Sequence, residues 1–311
     1  MTLFSVIIPL YNKAEHISDT LKSVVAQEFQ DFEVIVVNDG STDNSLEIVA
    51  KIEEPRLSLH TLENKGVSAA RNYGVKKALG KYLIFLDADD LWEVNHLKVL
   101  ANLINKYPNA TLFCSGYKRQ AGENNFQRAH FGKIPDNFIG FVDDYFKQSL
   151  PFSIAGMGTA CVSKENFLAI GGFTENVSHG EDIELWTSLA LRGSVALQNT
   201  PTVIHKLDAE NRVSNLKAKD KTFPDFSQFL MLETQKPTLK HYLDNNRYGI
   251  ALDYKLAGDR ENFQLWKSRI AVSNLNWKQR LLLFLPTRLA LSLKKVHYVL
   301  LKHGFYISTF R

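Results

Sequence analysis

The sequence predicts an α/β protein built on a mostly parallel sheet with helices on both faces. Strand-like and helix-like runs alternate through the first half of the chain. Each strand–helix unit is long enough to return the next strand parallel to the previous one. Clusters of turn-forming residues close two of the strand-like runs. Ligands of such sheets bind beyond the carboxyl ends of the strands, so we expect the functional site at that edge.

The elements of the first 120 residues follow one another in a regular order. Helical spacing is clear at Ile17, Leu21 and Val24. Gly80 and Pro108 are typical residues just beyond a helix end. Strands are predicted at residues 4–8, 32–37, 57–62, 82–86 and 111–117, and helices at residues 14–27, 45–52, 67–79 and 93–107.

The rest of the chain is less regular. Residues 118–156 are polar and contain glycines, which indicates a mobile or ligand-facing connection. A strand at 159–162 and a helix at 164–170 follow, and a further helix begins near Glu181 and ends at Arg192. Beyond residue 215 the sequence shows scattered aromatics and short helical pieces. We therefore predict one domain over residues 1–215, with halves 1–120 and 121–215, and a mainly helical region over 216–311.

The composition is that of a soluble globular enzyme, with 45% hydrophobic and 23% charged residues. Cys114 and Cys161 lie in apolar, strand-like runs, so we expect buried thiols in a reducing compartment. The first residues lack the basic region and cleavage site of a signal peptide. No run approaches the ~18 apolar residues of a membrane span. These features predict a protein that folds in the cytosol.

Charge is distributed unevenly along the chain. The net charge is +4, from 37 basic and 33 acidic side chains. Residues 262–311 contain nine of the basic side chains and no acidic one, which leaves 28 basic against all 33 acidic side chains in residues 1–261. Such a basic tail suggests an anionic partner.

Three aspartates crowd the end of the strand predicted at residues 82–86. They are Asp87, Asp89 and Asp90. Carboxylates this close repel one another unless a cation lies among them, and oxygen ligands suit Mg²⁺ or Mn²⁺. The alternative interpretation is a turn whose aspartates cap a helix.

Three further segments contain candidate binding residues at strand or helix ends. Asp39 could accept a base N–H or a ribose hydroxyl, or could belong to an Asx turn beside Gly40. Tyr11 could lie beneath a base, or the segment could be a simple strand exit. Arg71 falls one turn into a helix, whose N-terminus favours anions, although an exposed arginine is the alternative.

An acidic pair, Glu181 and Asp182, opens the helix that ends at Arg192. A helix N-terminus stabilises a carboxylate in its charged form, typically by ~0.3–1 kcal/mol. Such a carboxylate could accept a proton from a hydroxyl nucleophile. Plain helix capping is the alternative.

Taken together, these segments resemble family 2 of the inverting glycosyltransferases, which have the GT-A fold. The resemblance covers about residues 3–215 and depends on five motifs in the family's order. They are SVIIPLYN (5–12), VNDGSTD (37–43), NKG with ARN (64–66 and 70–72), DADD (87–90) and GED (180–182). The resemblance is to those members of the family that act on bacterial polysaccharides or glycolipids.

The resemblance implies a donor pocket for a nucleotide sugar, most often a UDP-sugar. Pro9 and Tyr11 would line the uridine pocket, and Asp39 would accept the uracil N–H. Arg71 would lie near the base or the diphosphate. Asp87 would contact the ribose or the donor sugar.

The resemblance also implies a metal site and a base. Asp89 would coordinate the Mn²⁺ or Mg²⁺ that bridges the diphosphate, with His205 as a second metal-facing residue, while Asp90 would support the loop. Asp182 would be the general base, with Glu181 as its substitute. A single displacement would then invert the anomeric carbon as the sugar passes to a hydroxyl of a glycan or lipid-linked saccharide.

Three other classes of protein share parts of this pattern. A nicotinamide-dependent oxidoreductase needs a Gly-x-Gly-x-x-Gly turn after the first strand, where this chain has Pro9-Leu10-Tyr11-Asn12. A nucleotidyltransferase would have a glycine-rich segment at its start, and this chain lacks one. A non-catalytic membrane-associated scaffold would have lost the acidic motifs, which this chain retains. No nucleic-acid partner is expected.

The basic tail has the pattern of a helix that lies on an anionic membrane. Leu289, Leu293, Val296 and Leu300 share one helical face, and Arg288, Lys294, Lys295 and Lys302 flank it. The alternative is that this face packs on the protein's own acidic body. The membrane interpretation predicts a peripheral protein on the cytoplasmic face of the inner membrane.

Overall fold

A computed structural model describes residues 2–212 and 216–302, with side chains described as far as Leu293 and at Val296. The strands are β1 (Phe4–Leu10), β2 (Phe32–Asn38), β3 (Leu57–Thr61), β4 (Tyr82–Phe85), β5 (Leu91–Trp92), β6 (Leu112–Gln120), β7 (Phe126–Arg128), β8 (Ile139–Phe141), β9 (Ala160–Ser163) and β10 (Val195–Lys206). The helices are α1 (Ile17–Val25), α2 (Ser45–Ala50), α3 (Val67–Lys77), α4 (His96–Lys106), α5 (Tyr145–Gln148), α6 (Lys164–Ala169), α7 (Glu181–Arg192), α8 (Leu230–Gln235), α9 (Pro237–Ala257), α10 (Arg260–Ser268), α11 (Trp277–Phe284) and α12 (Thr287–Lys302).

One large sheet in the order β3-β2-β1-β4-β9-β6-β10-β5 forms the centre of the protein. The first four strands of this order are parallel, and β6 is parallel to β10. β9 lies antiparallel between β4 and β6. The predicted α/β architecture with a mostly parallel sheet is therefore confirmed, with β9 joining two parallel parts.

Helix α3 packs closely on the middle of the sheet. A Cβ built on Gly74 would lie 2.5 Å from Cγ2 of Ile7 in β1, so only glycine allows this approach. Behind it, β1 is buried along almost its whole length. The close packing fixes Arg71, on the same helix, against the carboxyl edge of the sheet.

Strand β10 brings a distant segment of the chain to the site. Its register with β6 shifts at Pro201, which cannot donate to a ladder and sits at this irregularity. Beyond the shift, Val203 and Ile204 pair with β5, the short strand directly after the aspartate cluster. This pairing places His205 beside those aspartates.

The region beyond residue 215 is helical, as predicted, but its main element is longer than the short pieces expected. Helix α9 has 21 residues. Its Tyr242 ring lies 5.6 Å from Phe146 and 6.1 Å from Tyr145 of α5, between ring centroids. Residues 213–215 are outside the described part, and the division at residue 215 stays a prediction.

Both cysteines are free and buried, as predicted, and burial raises the pKa of each thiol. Across the described ranges 2–212 and 216–302, the helices include none with the length and apolar character of a membrane span.

Candidate active site

The carboxyl ends of β1, β2 and β4 meet at one edge, as their parallel register requires. Asp39, directly after β2, is buried and accepts hydrogen bonds from the backbone N–H of Lys65 (2.7 Å) and of Gly66 (2.8 Å). Asp39 therefore joins the end of β2 to the loop that opens α3. The local side-chain contact of this turn is made by Asn38 instead, which accepts from Ser41 N–H at 3.0 Å.

Tyr11 follows β1 at the same edge, with 44% of its surface exposed, and Pro9 lies within that strand. Asn12 adopts a φ of 51°, a left-handed conformation that asparagine tolerates. Its side chain accepts from Thr42 N–H at 2.8 Å, which ties the β1 and β2 loops together. The exposed ring of Tyr11 thus belongs to a loop that is fixed by hydrogen bonds.

Arg71 is buried and joins two parts of the site. Its Nη1 donates to Glu181 at 2.7 Å, and its Nη2 donates to Asp87 at 2.8 Å. Burial alone would lower the pKa of Arg71, but the two carboxylates raise it overall, so the guanidinium stays charged. The start of α7 is thereby fixed to the end of β4.

Asp89 is paired with a lysine that the sequence analysis did not single out. Lys13 Nζ lies 2.7 Å from Asp89 Oδ2 and also donates to the backbone oxygen of Glu210 at 2.6 Å. Burial, and then the charges of Asp90 and Asp87, raise the pKa of Asp89 against the lowering effect of Lys13. A cation is therefore electrostatically favoured at Asp89.

Asp90 and His205 form the third pair of the cluster. His205 Nδ1 lies 2.5 Å from Asp90 Oδ2, and Asp90 Oδ1 accepts from Lys206 N–H at 3.1 Å. Burial would lower the pKa of His205, but Asp90 raises it overall. Asp90 thus contacts the imidazole through one nitrogen and the backbone of Lys206, and its role in supporting the loop stays a prediction.

Asp89 and His205 are the residues here that could hold a divalent cation. Mg²⁺ is commonly bound by one or two carboxylates together with substrate phosphates. A carboxylate that fixes Nδ1 of a histidine and leaves Nε2 for a metal is the usual second-shell arrangement, and Asp90 fixes His205 in this way. The described residues contain no group of three or more His, Cys, Asp or Glu able to hold a metal. A cation at Asp89 and His205 would thus need ligands from the substrate.

The acidic pair at the start of α7 divides into two environments. Glu181 is engaged by Arg71, whereas Asp182 receives only the N–H of its neighbour Ile183, at 2.9 Å. Burial, and next the charge of Glu181, raise the pKa of Asp182 to about 7 despite the opposing Arg71. Of the two carboxylates, Asp182 has the properties of a base at neutral pH.

Asp182 lines a cavity of about 150 Å³ between α7, the segment after α5, and α9. Burial and the charge of Asp182 raise the pKa of Tyr242, on the α9 wall, to about 12. The cavity is also lined by Ser149, Leu150, Pro151, Ser153, Ile183, Trp186, Asn245 and Asn246.

Comparison with known proteins decides which family this site belongs to. The model of Glycosyl transferase family 2 matches residues 5–164, about half of the chain, and this stretch includes Tyr11, Asp39, Arg71 and Asp87. The chain belongs to glycosyltransferase family 2.

Relatives of this glycosyltransferase occur in several bacteria. An uncharacterised glycosyltransferase of Rickettsia conorii is 33% identical over 62% of the chain. The chain spans about a third of the length of that protein, 31%. A putative teichuronic acid biosynthesis glycosyltransferase, TuaG of Bacillus subtilis, is 29% identical over 76% of this chain and 92% of its own. WfgD of Escherichia coli, a UDP-Glc:alpha-D-GlcNAc-diphosphoundecaprenol beta-1,3-glucosyltransferase, is 28% identical over 70% of this chain and 82% of its own.

Solved structures of S. aureus TarS share the fold of this glycosyltransferase. TarS residues 1–349 in complex with UDP-GlcNAc superpose with a TM-score of 0.60 at 20% identity, and the match covers 86% of this chain and 90% of that 1–349 segment. The GT-A fold expected from the sequence is thereby confirmed.

Two site residues of the glycosyltransferase escaped the sequence analysis. Lys13 is a single lysine in a loop, and no local pattern marks it as the partner of Asp89. Tyr242 belongs to a helix far along the chain from Asp182. In both cases the only informative signal is a contact between distant segments, which one sequence does not reveal.

Proposed function

We propose that the protein transfers a sugar from a UDP-sugar to a hydroxyl of a glycan or glycolipid acceptor, with inversion of the anomeric carbon. The observation that supports this most directly is the position of Asp182. It lines a cavity, has a pKa of about 7, and follows a residue that Arg71 connects to the donor edge of the sheet. This position supports a base that lies between a donor site and a space for an acceptor.

Asp182 is the general base in this proposal, and Glu181 is a positioning residue. The carboxylate of Glu181 is already occupied by Arg71 at 2.7 Å. Among the side chains described, through Leu293 and at Val296, no cation forms an ion pair with Asp182, so its oxygens remain basic toward a hydroxyl proton. Deprotonation of the acceptor hydroxyl occurs as it attacks the anomeric carbon from the face opposite the diphosphate.

The donor would occupy the edge formed by β1, β2 and β4. TarS was solved with UDP-GlcNAc, and the name of WfgD specifies UDP-Glc, which favours a uridine diphosphate donor here. Tyr11 offers an exposed ring for the base. Asp39 keeps a second lone pair on each oxygen for the uracil N–H, since each accepts one backbone bond. Asp87, with 39% of its side chain exposed, remains accessible to the ribose or sugar.

Asp89 and His205 would hold Mn²⁺ or Mg²⁺ beside the diphosphate. The metal would supply charge neutralisation to the leaving nucleotide. Lys13 presents its ammonium at the same carboxylate. It therefore either stays as a second cation beside the phosphates or leaves Asp89 when the donor binds.

The acceptor sugar would enter the cavity beside Asp182. Its volume of about 150 Å³ is that of an engineered cavity known to accept one benzene ring, so a single six-membered ring fits. Trp186, which is buried and lines this cavity, has an indole N–H without a partner among the described residues. The amide of Asn246 adds a hydrogen-bonding group suited to a hydroxyl, whereas the amide of Asn245 is engaged by His241 and Gln279.

The acceptor class follows from the relatives. WfgD is named for a sugar on diphosphoundecaprenol, and TuaG for teichuronic acid biosynthesis. We therefore place this enzyme in bacterial polysaccharide or glycolipid biosynthesis. A lipid-linked acceptor presents its sugar at a membrane, so the cytoplasmic face of the inner membrane is the expected location.

Slow hydrolysis of the donor tests this function without knowledge of the acceptor. UDP-glucose and UDP-GlcNAc are incubated with the enzyme and Mn²⁺, and early NMR spectra record the released sugar before it mutarotates. Attack by water on an α-linked donor should yield the β anomer together with UDP. Release of the α anomer would contradict inversion. No UDP release and no thermal stabilisation by either donor would contradict UDP-sugar use, since a ligand at a hundred times its Kd adds ~2.7 kcal/mol.

A further inference from the structure

Two consecutive helices near the end of the described chain keep apolar faces in solvent. On α11, Trp277, Leu281 and Phe284 follow the spacing i, i+4, i+7 and are 70%, 48% and 58% exposed. The opposite side of α11 is anchored, because Leu283 is buried in the core. The exposed face is therefore a property of a helix fixed in the fold.

Helix α12 repeats this arrangement. Leu289, Leu293 and Val296 have the same spacing and are 53%, 47% and 56% exposed. Ala290 is 2% exposed, and the helix packs against α9. The small residue thus faces the protein while the larger ones remain in water. This excludes the alternative in which the stripe is covered by the protein's own body, for the part of the stripe that is described. Leu300, Lys294, Lys295 and Lys302 lie outside the described side chains.

Cations border these faces. Lys267 Nζ lies 4.4 Å from the ring centroid of Phe284, and Lys278 Nζ lies 5.9 Å from that of Trp277. Their flexible stems can cover the edge of an apolar face and keep the ammonium at a polar boundary. Residues 262–311 contain nine lysines and arginines and no acidic residue.

We infer that the exposed faces of α11 and α12, here called the interfacial surface (Trp277, Leu281, Phe284, Leu289, Leu293 and Val296), insert into an anionic lipid bilayer. Apolar side chains bordered by cations match the boundary between acyl chains and anionic head groups. A second copy of the chain is a poor occupant, because like charges would face one another. A nucleic acid would meet the cations but leave the six apolar side chains in water.

This inference extends the tail predicted from the sequence to α11, which supplies the two aromatic residues. It agrees with the proposed lipid-linked acceptor but does not depend on catalysis, so the two are tested separately. Removal of the tail is a poor test because it would expose the core around Leu283. Point variants of exposed residues leave that core intact.

The experiment is flotation of the full chain with vesicles of phosphatidylcholine, with and without phosphatidylserine. We expect the protein to float with the anionic vesicles, less at high salt because the cation contribution is screened. The triple variant Trp277→Ser, Leu281→Ser, Phe284→Ser should lower the partition coefficient at least about tenfold. The matched control, Leu79→Ser with Leu168→Ser, removes side chains of 77% and 59% exposure elsewhere and should float like the wild type.

A second pair of variants separates charge from apolar insertion. Lys267→Gln with Lys278→Gln should weaken binding to anionic vesicles about tenfold and leave binding to neutral vesicles unchanged. Asp182→Asn should float like the wild type, which distinguishes failure of the surface from failure of the proposed function. Absence of flotation, or equal flotation of the triple variant and the wild type, would overturn the inference. So would loss of a dimer in the triple variant by sedimentation, with vesicle binding unchanged.

Discussion

The aspartate cluster after β4 and the acidic pair that opens α7 are both crowded carboxylates, yet their partners differ. In the cluster each carboxylate has a basic partner: Asp87 has Arg71, Asp89 has Lys13 and Asp90 has the imidazole of His205. In the pair, among the side chains that the structure describes, Glu181 has one and Asp182 has none. Crowding alone therefore does not define a base. In our proposal the carboxylate without an ion pair is the proton acceptor.

Replacing each carboxylate of the acidic pair in turn by its amide tests this comparison most strongly. Asp182→Asn should lower sugar transfer ~10²- to 10⁴-fold and leave UDP affinity unchanged. Its melting temperature should not fall, because burial already disfavours the charged carboxylate. Glu181→Gln, which keeps an oxygen for Arg71, is the control and should retain most transfer. If Glu181→Gln were inactive and Asp182→Asn active, the base would be Glu181 and our assignment to Asp182 would be wrong.

Removal of the arginine shared by both regions should have the next largest effect. Arg71→Met leaves Asp87 and Glu181 without their cation, and breaking a buried pair typically costs ~3–5 kcal/mol. We expect the lower end, because Asp87 keeps 39% of its side chain exposed and water screens it. Urea unfolding measures the loss. Arg56→Met, at a less buried pair with Glu54, is the control and should cost ~1 kcal/mol or less. If Arg71→Met and Arg56→Met lost equal unfolding free energy, Arg71 would not have the bridging role described here.

The metal assignment concerns the cluster alone. Asp89→Ala should lower the Mn²⁺-dependent affinity for UDP by about tenfold to a hundredfold, a range found when the surroundings of a metal site are altered. Calorimetry with and without Mn²⁺ measures it. Asp19→Ala, which removes an exposed carboxylate on α1, should change nothing. Unchanged Mn²⁺ dependence in Asp89→Ala would remove this residue from the metal site.

The smallest expected effect is on pH dependence. A base must be deprotonated to act, so transfer should rise about tenfold per pH unit below the Asp182 pKa of about 7 and level off above it. The charge of Glu181 raises that pKa, so Glu181→Gln should move the midpoint toward lower pH by a fraction of a unit. The pH profile of kcat measures both. A midpoint near 4 in the wild type, the usual range of an exposed aspartate, would contradict the buried environment.

The parts of the site that were predictable from the sequence are local ones. Asp39 and Asp87 directly follow buried strands, and parallel strands bring their ends to one edge whatever the rest of the chain does. The pairing of Asp90 with His205 is different, because it depends on β5 and on the shifted register of β10 around Pro201. A two-residue strand leaves no periodic signal in a sequence.

Helix α9 shows why the second half was harder to predict. Asn245, Asn246 and Gly249 lie inside it, and all three have low helix propensity. The helix is stabilised by packing instead: its Tyr242 lies against α5, and Arg247 donates to Glu233 of α8 at 2.8 Å. Tertiary contacts outweigh local preference here, and a single sequence shows only the preference.

The continuity of α9 has a consequence for acceptor length. Tyr242 borders the cavity, and thirteen residues later Lys255 donates to the backbone oxygens of Leu282 and Leu283 of α11, at 2.7 and 2.8 Å. At 1.5 Å per residue, about 20 Å of unbroken helix separates the two points. With α11 docked on a bilayer, this rigid helix would connect the Asp182 cavity to the membrane-bound part of the protein. The reach required of a lipid-anchored acceptor would then be set by the fold itself.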